Sequence, residues 1–120
     1  LEVGGKSWNP AEGRYAELRR VWSPGDRIRL TLPMPIVRIP APDGSSRFAV
    51  RRGPVLLVQD SRIGSVDTPC ILPEAEPVRI THAEIAALYE WPDGTRLCDY
   101  ASAGNQFRET NTICVWLKQG

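Results

Sequence analysis

The side chains that could do chemistry in this sequence are few: one histidine, His82, three cysteines, Cys70, Cys98 and Cys114, and scattered carboxylates. Zinc sites usually draw ligands from close-set pairs such as Cys-x-x-Cys, because two neighbouring thiolates already fix half a tetrahedron. The three cysteines are widely separated and His82 stands at no recognisable spacing from them, so no metal site is expected. A Ser-His-Asp triad would have to use His82, but no Gly-x-Ser-x-Gly elbow is present to expose a nucleophile. The nearest serine context is the small-residue stretch Ala101-Ser102-Ala103-Gly104. Neither Gly-x-Gly-x-x-Gly nor the full Gly-x-x-x-x-Gly-Lys-Ser/Thr phosphate loop occurs, so no nucleotide cofactor is expected.

A glycosidase would need two carboxylates facing one another across a cleft. Glu84, Glu90, Asp93 and Asp99 are the candidates, but such residues are usually solvated charges or turn formers, and Asp93 sits in a turn sequence. No catalytic residue is therefore assigned. The four tryptophans leave a binding role open, since a flat exposed indole can stack on a sugar ring. Trp91, at a turn, and Tyr100 are the expected carbohydrate contacts; Trp22 and Trp116, in strand-like runs, are expected to fill the core.

Composition excludes several classes. The chain has 120 residues, 42% of them hydrophobic, with 15 basic against 14 acidic side chains and a formal charge of +1. That is enough for one core, but no field of either sign exists to attract nucleic acid or an anionic membrane. No apolar run reaches the roughly 18–20 residues of a bilayer span, and LEVGGKSWNP is not a secretory signal. An odd number of cysteines fits reduced thiols in the cytoplasm, although a signal could precede Leu1.

The elements that must hold these residues read as strands. Residues 14–22 alternate, with Ala16, Leu18, Arg20 and Trp22 on one face and Tyr15, Glu17 and Arg19 on the other. Ser23-Pro24-Gly25-Asp26 is a turn, and 26–34 alternates more cleanly, with Ile28, Leu30, Leu32 and Met34 on one side. The two runs predict a hairpin whose Leu30 is core. Prolines 33, 35, 40 and 42 should interrupt the ladder. Residues 47–60 predict one buried strand including Val55, kinked at Gly53-Pro54, followed by a surface connection over 61–77. Thr81 to Glu84 has capping-box spacing and predicts a short helical turn near 82–87, before a hairpin across Asp93-Gly94. A polar loop over 104–111 and a closing strand in TICVWLK complete the chain.

Three stretches in order, YAELRRVWSPGDRIRLTLPMPIVRI, FAVRRGPVLLVQD, and LCDYASAGN followed by VWLKQG, resemble the non-catalytic β-sandwich region of glycoside hydrolase family 127. That family is founded on β-L-arabinofuranosidase activity. The likeness lies in a Trp-x-x-Gly-Asp turn leading to Leu-Pro-Met, an Arg-Gly-Pro strand and a closing segment, and it leaves 61–90 unmatched. Val3-Gly4-Gly5-Lys6 resembles the small turn that precedes them. In the family, a helical barrel carries the cysteine nucleophile and a zinc site. Here no Cys-Cys or Glu-x-Cys pattern occurs, so Cys70, Cys98 and Cys114 inherit neither role.

The expected protein is thus all-β, a largely antiparallel sandwich of about seven to nine strands. It is read as a single domain over 1–120. Residues 1–39 resemble the end of a preceding sandwich, and 47–120 form a second sheet region. The expected role is that of a non-catalytic accessory module. Its partner would be a catalytic helical barrel absent from this chain, or a second copy of itself, with carbohydrate as a further ligand. A standalone carbohydrate-binding or oligomerising protein is one alternative, and a small enzyme with an unrecognised acidic site is another.

Overall fold

The computed structural model describes residues 1–106 and 108–120, and it is all-β with one short helix. Part of the polar loop expected over 104–111, Phe107, lies outside the described residues. The chain forms two compact units, Leu1–Pro33 and Met34–Gly120.

In the first unit, β1 (Glu2–Val3) lies between β2 (Lys6–Ser7) and β3 (Ile28–Arg29) in one small antiparallel sheet. Gly4 and Gly5 turn β1 into β2 with φ of +54° and +76°, values that only glycine adopts freely. The Ser23–Asp26 turn forms as expected: the Asp26 N–H donates to the Ser23 carbonyl at 3.1 Å, and Gly25 takes φ +91°. The hairpin around it does not. Residues 14–22 form no strand, and Ile28–Arg29 pairs with β1 instead. The physical reason lies in the mixed faces of 14–22, which give no apolar side to bury. Arg20 turns back onto the Asp26 carboxylate and over the Trp22 ring. Val3 is the unit's buried residue. Leu30, expected in the core, is 59% exposed, and Trp22 is exposed as well.

The second unit is one mixed sheet of order β7-β12-β5-β6-β10-β9-β8, with β4 beside β5 and β11 beside β6. Its strands are β4 (Ile36–Pro40), β5 (Arg47–Arg52), β6 (Val55–Asp60), β7 (Pro69–Cys70), β8 (Val78–Ile80), β9 (Leu88–Glu90), β10 (Arg96–Asp99), β11 (Ile113–Cys114) and β12 (Leu117–Gln119). Among the described residues only the β7–β12 pairing is parallel. The helix α1 (Tyr100–Gly104) follows β10 directly.

Residues 47–60 are a hairpin and not one kinked strand. Gly53, at φ +54°, and Pro54 form a two-residue turn, with Arg52 opposite Val55. The prolines do not stop β4 either. Gly53 donates to the Pro35 carbonyl and Ala41 to the Arg47 carbonyl, each at 3.0 Å, so odd-numbered residues face β5. Pro40 is even-numbered, and its missing N–H falls on the outer edge, where no ladder bond is lost. β5 and β6 pair at 50–52 with 55–57 and then diverge. β12 takes Arg47 and Phe48, and β11 takes Gln59 and Asp60.

Alternation divides the core between the two faces of the sheet. One face carries Phe48, Val50, Leu57, Cys70, Leu97 and Leu117, which cluster with Leu72 and Trp91. The other carries Val58, Leu88 and Cys98, covered by Ile63, Ile85 and Ala103. The 61–77 connection is therefore not all surface, since Ile63, Cys70 and Leu72 are buried.

Candidate functional site

The densest polar cluster in the second unit grows from the end of β6. Asp60 is buried, and its carboxylate receives Arg62 Nε at 3.0 Å, Nη2 at 2.6 Å and the Arg62 backbone N–H at 2.8 Å. Arg62 Nη2 also donates to the Ser102 carbonyl at 2.9 Å, and Nη1 reaches Glu84 at 3.5 Å. Burial opposes the charge on Asp60, but the hydrogen bonds and charge of Arg62 outweigh it and hold the carboxyl below its ordinary range. One guanidinium thus ties β6, the end of α1 and the 82–87 segment together.

Asp99 makes a second tie. Its Oδ2 accepts the Ser102 N–H at 2.9 Å, capping α1, while Oδ1 accepts the Ala87 N–H at 2.9 Å. Ser102 Oγ accepts the Ala86 N–H at 2.9 Å, and His82 Nδ1 accepts that of Glu84 at 3.1 Å. These bonds explain why no helical turn forms near 82–87. The N–H groups that would have built it are taken by side chains from α1, β10 and His82 itself. The short helix sits at Tyr100–Gly104 instead.

A cleft of about 370 Å³ opens between the 63–71 loop and the 93–96 turn, lined by Gln59, Thr68, Asp93, Thr95 and Arg96 among others. Several of its polar groups are engaged within the chain. Gln59 bridges Thr68 and the Asp67 N–H, Asp93 accepts twice from Thr95, and Arg96 pairs with Glu90. The turn itself forms as the sequence predicts, with Gly94 at φ +83° donating to the Trp91 carbonyl at 2.9 Å.

The four nominated carboxylates are not brought together: Glu84 faces Arg62, Glu90 faces Arg96, Asp93 closes its turn and Asp99 caps α1. Trp91, expected at the surface, is 2% exposed and belongs to the core cluster, so neither ring face is open to a sugar. Tyr100 is exposed at the start of α1. Trp116, expected in the core, is exposed instead. The tryptophans exchanged places because Trp91 directly follows β9 and packs with Leu97 and Leu117, whereas Trp116 falls between β11 and β12.

All three cysteines are free thiols. Burial pushes Cys98 up to about 12, helped by the nearby Asp60 and Asp99 charges, and raises Cys70 as well. Among the described residues no group of His, Cys, Asp or Glu is placed to hold a metal ion. None of their helices is long and apolar enough to cross a membrane. Sequence reasoning missed Asp60, Arg62 and Ser102. The available signal was an aspartate closing the most apolar strand, with an arginine two residues on. No family model matches the chain, and neither does a curated protein or a solved structure.

Proposed function

We propose that this chain is a non-catalytic β-rich accessory module, related to the sandwich region of family 127 glycoside hydrolases, that buttresses a catalytic helical barrel in a reducing cytoplasm. One observation carries the reading. Two of the three stretches that suggested the family are built into each other: Met34 of Leu-Pro-Met lies over Gly53 of Arg-Gly-Pro, and the Gly53 N–H donates to the Pro35 carbonyl at 3.0 Å. Motifs that interlock in space constrain each other, which makes their joint appearance more telling than either alone. The polar cluster around Arg62 supports a structural role, because each carboxylate nearby is engaged in holding segments together.

The test has two arms. The purified chain is assayed on aryl β-L-arabinofuranoside and other aryl glycosides, with no turnover expected; turnover abolished by Glu84→Gln or Asp99→Asn would sink the proposal. The coding sequence upstream of Leu1 is then read for several hundred further residues containing Glu-x-Cys and Cys-Cys. A start codon directly before Leu1 would favour the alternative, a self-associating module. The exposure of Tyr15, Val21, Leu30 and Leu32 is the observation that keeps this second reading in play.

A further inference from the structure

Met34 is the only methionine in the chain. Its thioether lies so close over Gly53 that a Cβ added there would overlap the sulfur and the methyl group. Beside that contact, the Gly53 N–H closes the rung to Pro35 at which β4 joins β5. Beyond that first rung, β4 is laddered to β5 from Ile36 to Pro40. Ile36 packs at the margin of the core cluster, and Arg38 lies 4.0 Å over the Phe48 ring. Met34 is half-buried, so part of it remains open to small solutes.

We propose that Met34 is a redox-sensitive latch for β4, released when a hydroperoxide oxidises its thioether. The sulfur lone pair attacks one peroxide oxygen. The S–O bond forms as the O–O bond breaks, and the departing oxygen takes up a proton and leaves as water or alcohol. Sulfur loses two electrons and the peroxide gains them. The product sulfoxide is polar and chiral at sulfur, where the thioether was apolar and achiral. Its oxygen seeks water or a donor, and the sulfur no longer seats against the bare Cα of Gly53. The rung at Pro35 opens with it, and β4 frays from β5 at that end of the ladder.

The experiment uses the intact chain, treated with hydrogen peroxide and then with dithiothreitol, which restores reversibly oxidised thiols but leaves methionine sulfoxide. The peptide containing Met34 gains one oxygen. The amides of Gly53, Val37 and Ile39, all facing the β4–β5 ladder, then exchange at least about tenfold faster, as local opening requires. The melting temperature falls by about 4 °C or more. Treatment with the two methionine sulfoxide reductases reverses both changes, an arm that needs no substitution. Met34→Leu shows no such response to peroxide. Complete sulfoxide formation with unchanged exchange at those three amides would overturn the latch. So would equal acceleration in Met34→Leu, or a Met34 that stays unoxidised while free methionine is fully converted.

Discussion

The guanidinium of Arg62 lies alongside the carboxylate of Asp60, with Nε 3.0 Å from Oδ1 and Nη2 2.6 Å from Oδ2. The acid is buried and the base nearly so, which makes each the other's main source of solvation. Arg62→Met should therefore cost about 3–5 kcal/mol in urea unfolding, because it strands a buried charge. Asp60→Asn combined with Arg62→Met should cost less than Arg62→Met alone. Equal losses would mean that the ion pair is not what holds the segments.

The same pair gives the fold an acid limit. Asp60 titrates below its ordinary value in the folded chain, so its contribution is fully present above the unfolded value near 3.9. It is lost as pH falls through the lower folded value. Asp60→Asn should be less stable at neutral pH but should show a flatter stability curve below about pH 4. Asp67, lowered by Lys118 and then Arg47, acts in the same window, but it lies at the surface. Added salt should weaken its share and leave that of Asp60.

Gly53 and Gly94 separate two reasons for glycine. Both hold positive φ, at +54° and +83°, but only Gly53 has a neighbour in the space of a Cβ. Gly94→Ala should cost about 1–2 kcal/mol from backbone strain alone. Gly53→Ala should cost about 2–5 kcal/mol, as overpacking against Met34 adds to the strain. Met34→Ala should recover part of that loss in the Gly53→Ala background, and denaturant melts of the four proteins would measure the coupling.

Leucines in runs that look alike in sequence should differ sharply. Leu57 is fully buried between β5 and β10, and Leu57→Ala should cost about 2–5 kcal/mol. Leu30→Ala should stay within about 0.5 kcal/mol, as substitutions at exposed sites do. A large loss at Leu30 in dilute solution would show that something covers it.

Thiol reactivity should follow burial. In the native chain at pH 8, Cys114 should react with a disulfide reagent, while Cys70 and Cys98 should react only after unfolding. Rapid native labelling of Cys98, whose value is pushed up to about 12, would contradict the burial that causes it.

The turns were the most legible part of the sequence. Pro24-Gly25 and Pro92 to Gly94 carry their conformations in single residues and turn as expected, whereas Gly53-Pro54, expected as a kink within one strand, reverses the chain. Strand pairing was less legible, because it depends on partners far along the chain. The alternation in 26–34 is clean, yet Leu30 is exposed, since periodicity says that a face could be buried and not what would bury it. The 82–87 segment shows the opposite failure. A sound local helix signal lost to Asp99 and Ser102, whose side chains took its N–H groups from elsewhere in the chain. The site residues Asp60 and Arg62 were hidden for a similar reason, since the guanidinium that pairs with Asp60 also donates to the Ser102 carbonyl, 40 residues along the chain.

The divergence of β5 from β6 has a consequence for how the protein is made. The gap between them is closed by residues 113–119, and the Arg47 side chain meets the Trp116 carbonyl across a sequence separation of 69. Such distant pairings close slowly. During synthesis, at about 5–20 residues per second, the hairpin leaves the ribosome several seconds before the strands that complete it. For that interval the nascent chain carries two half-built sheet edges side by side, and these are where a chaperone or another nascent copy would first take hold.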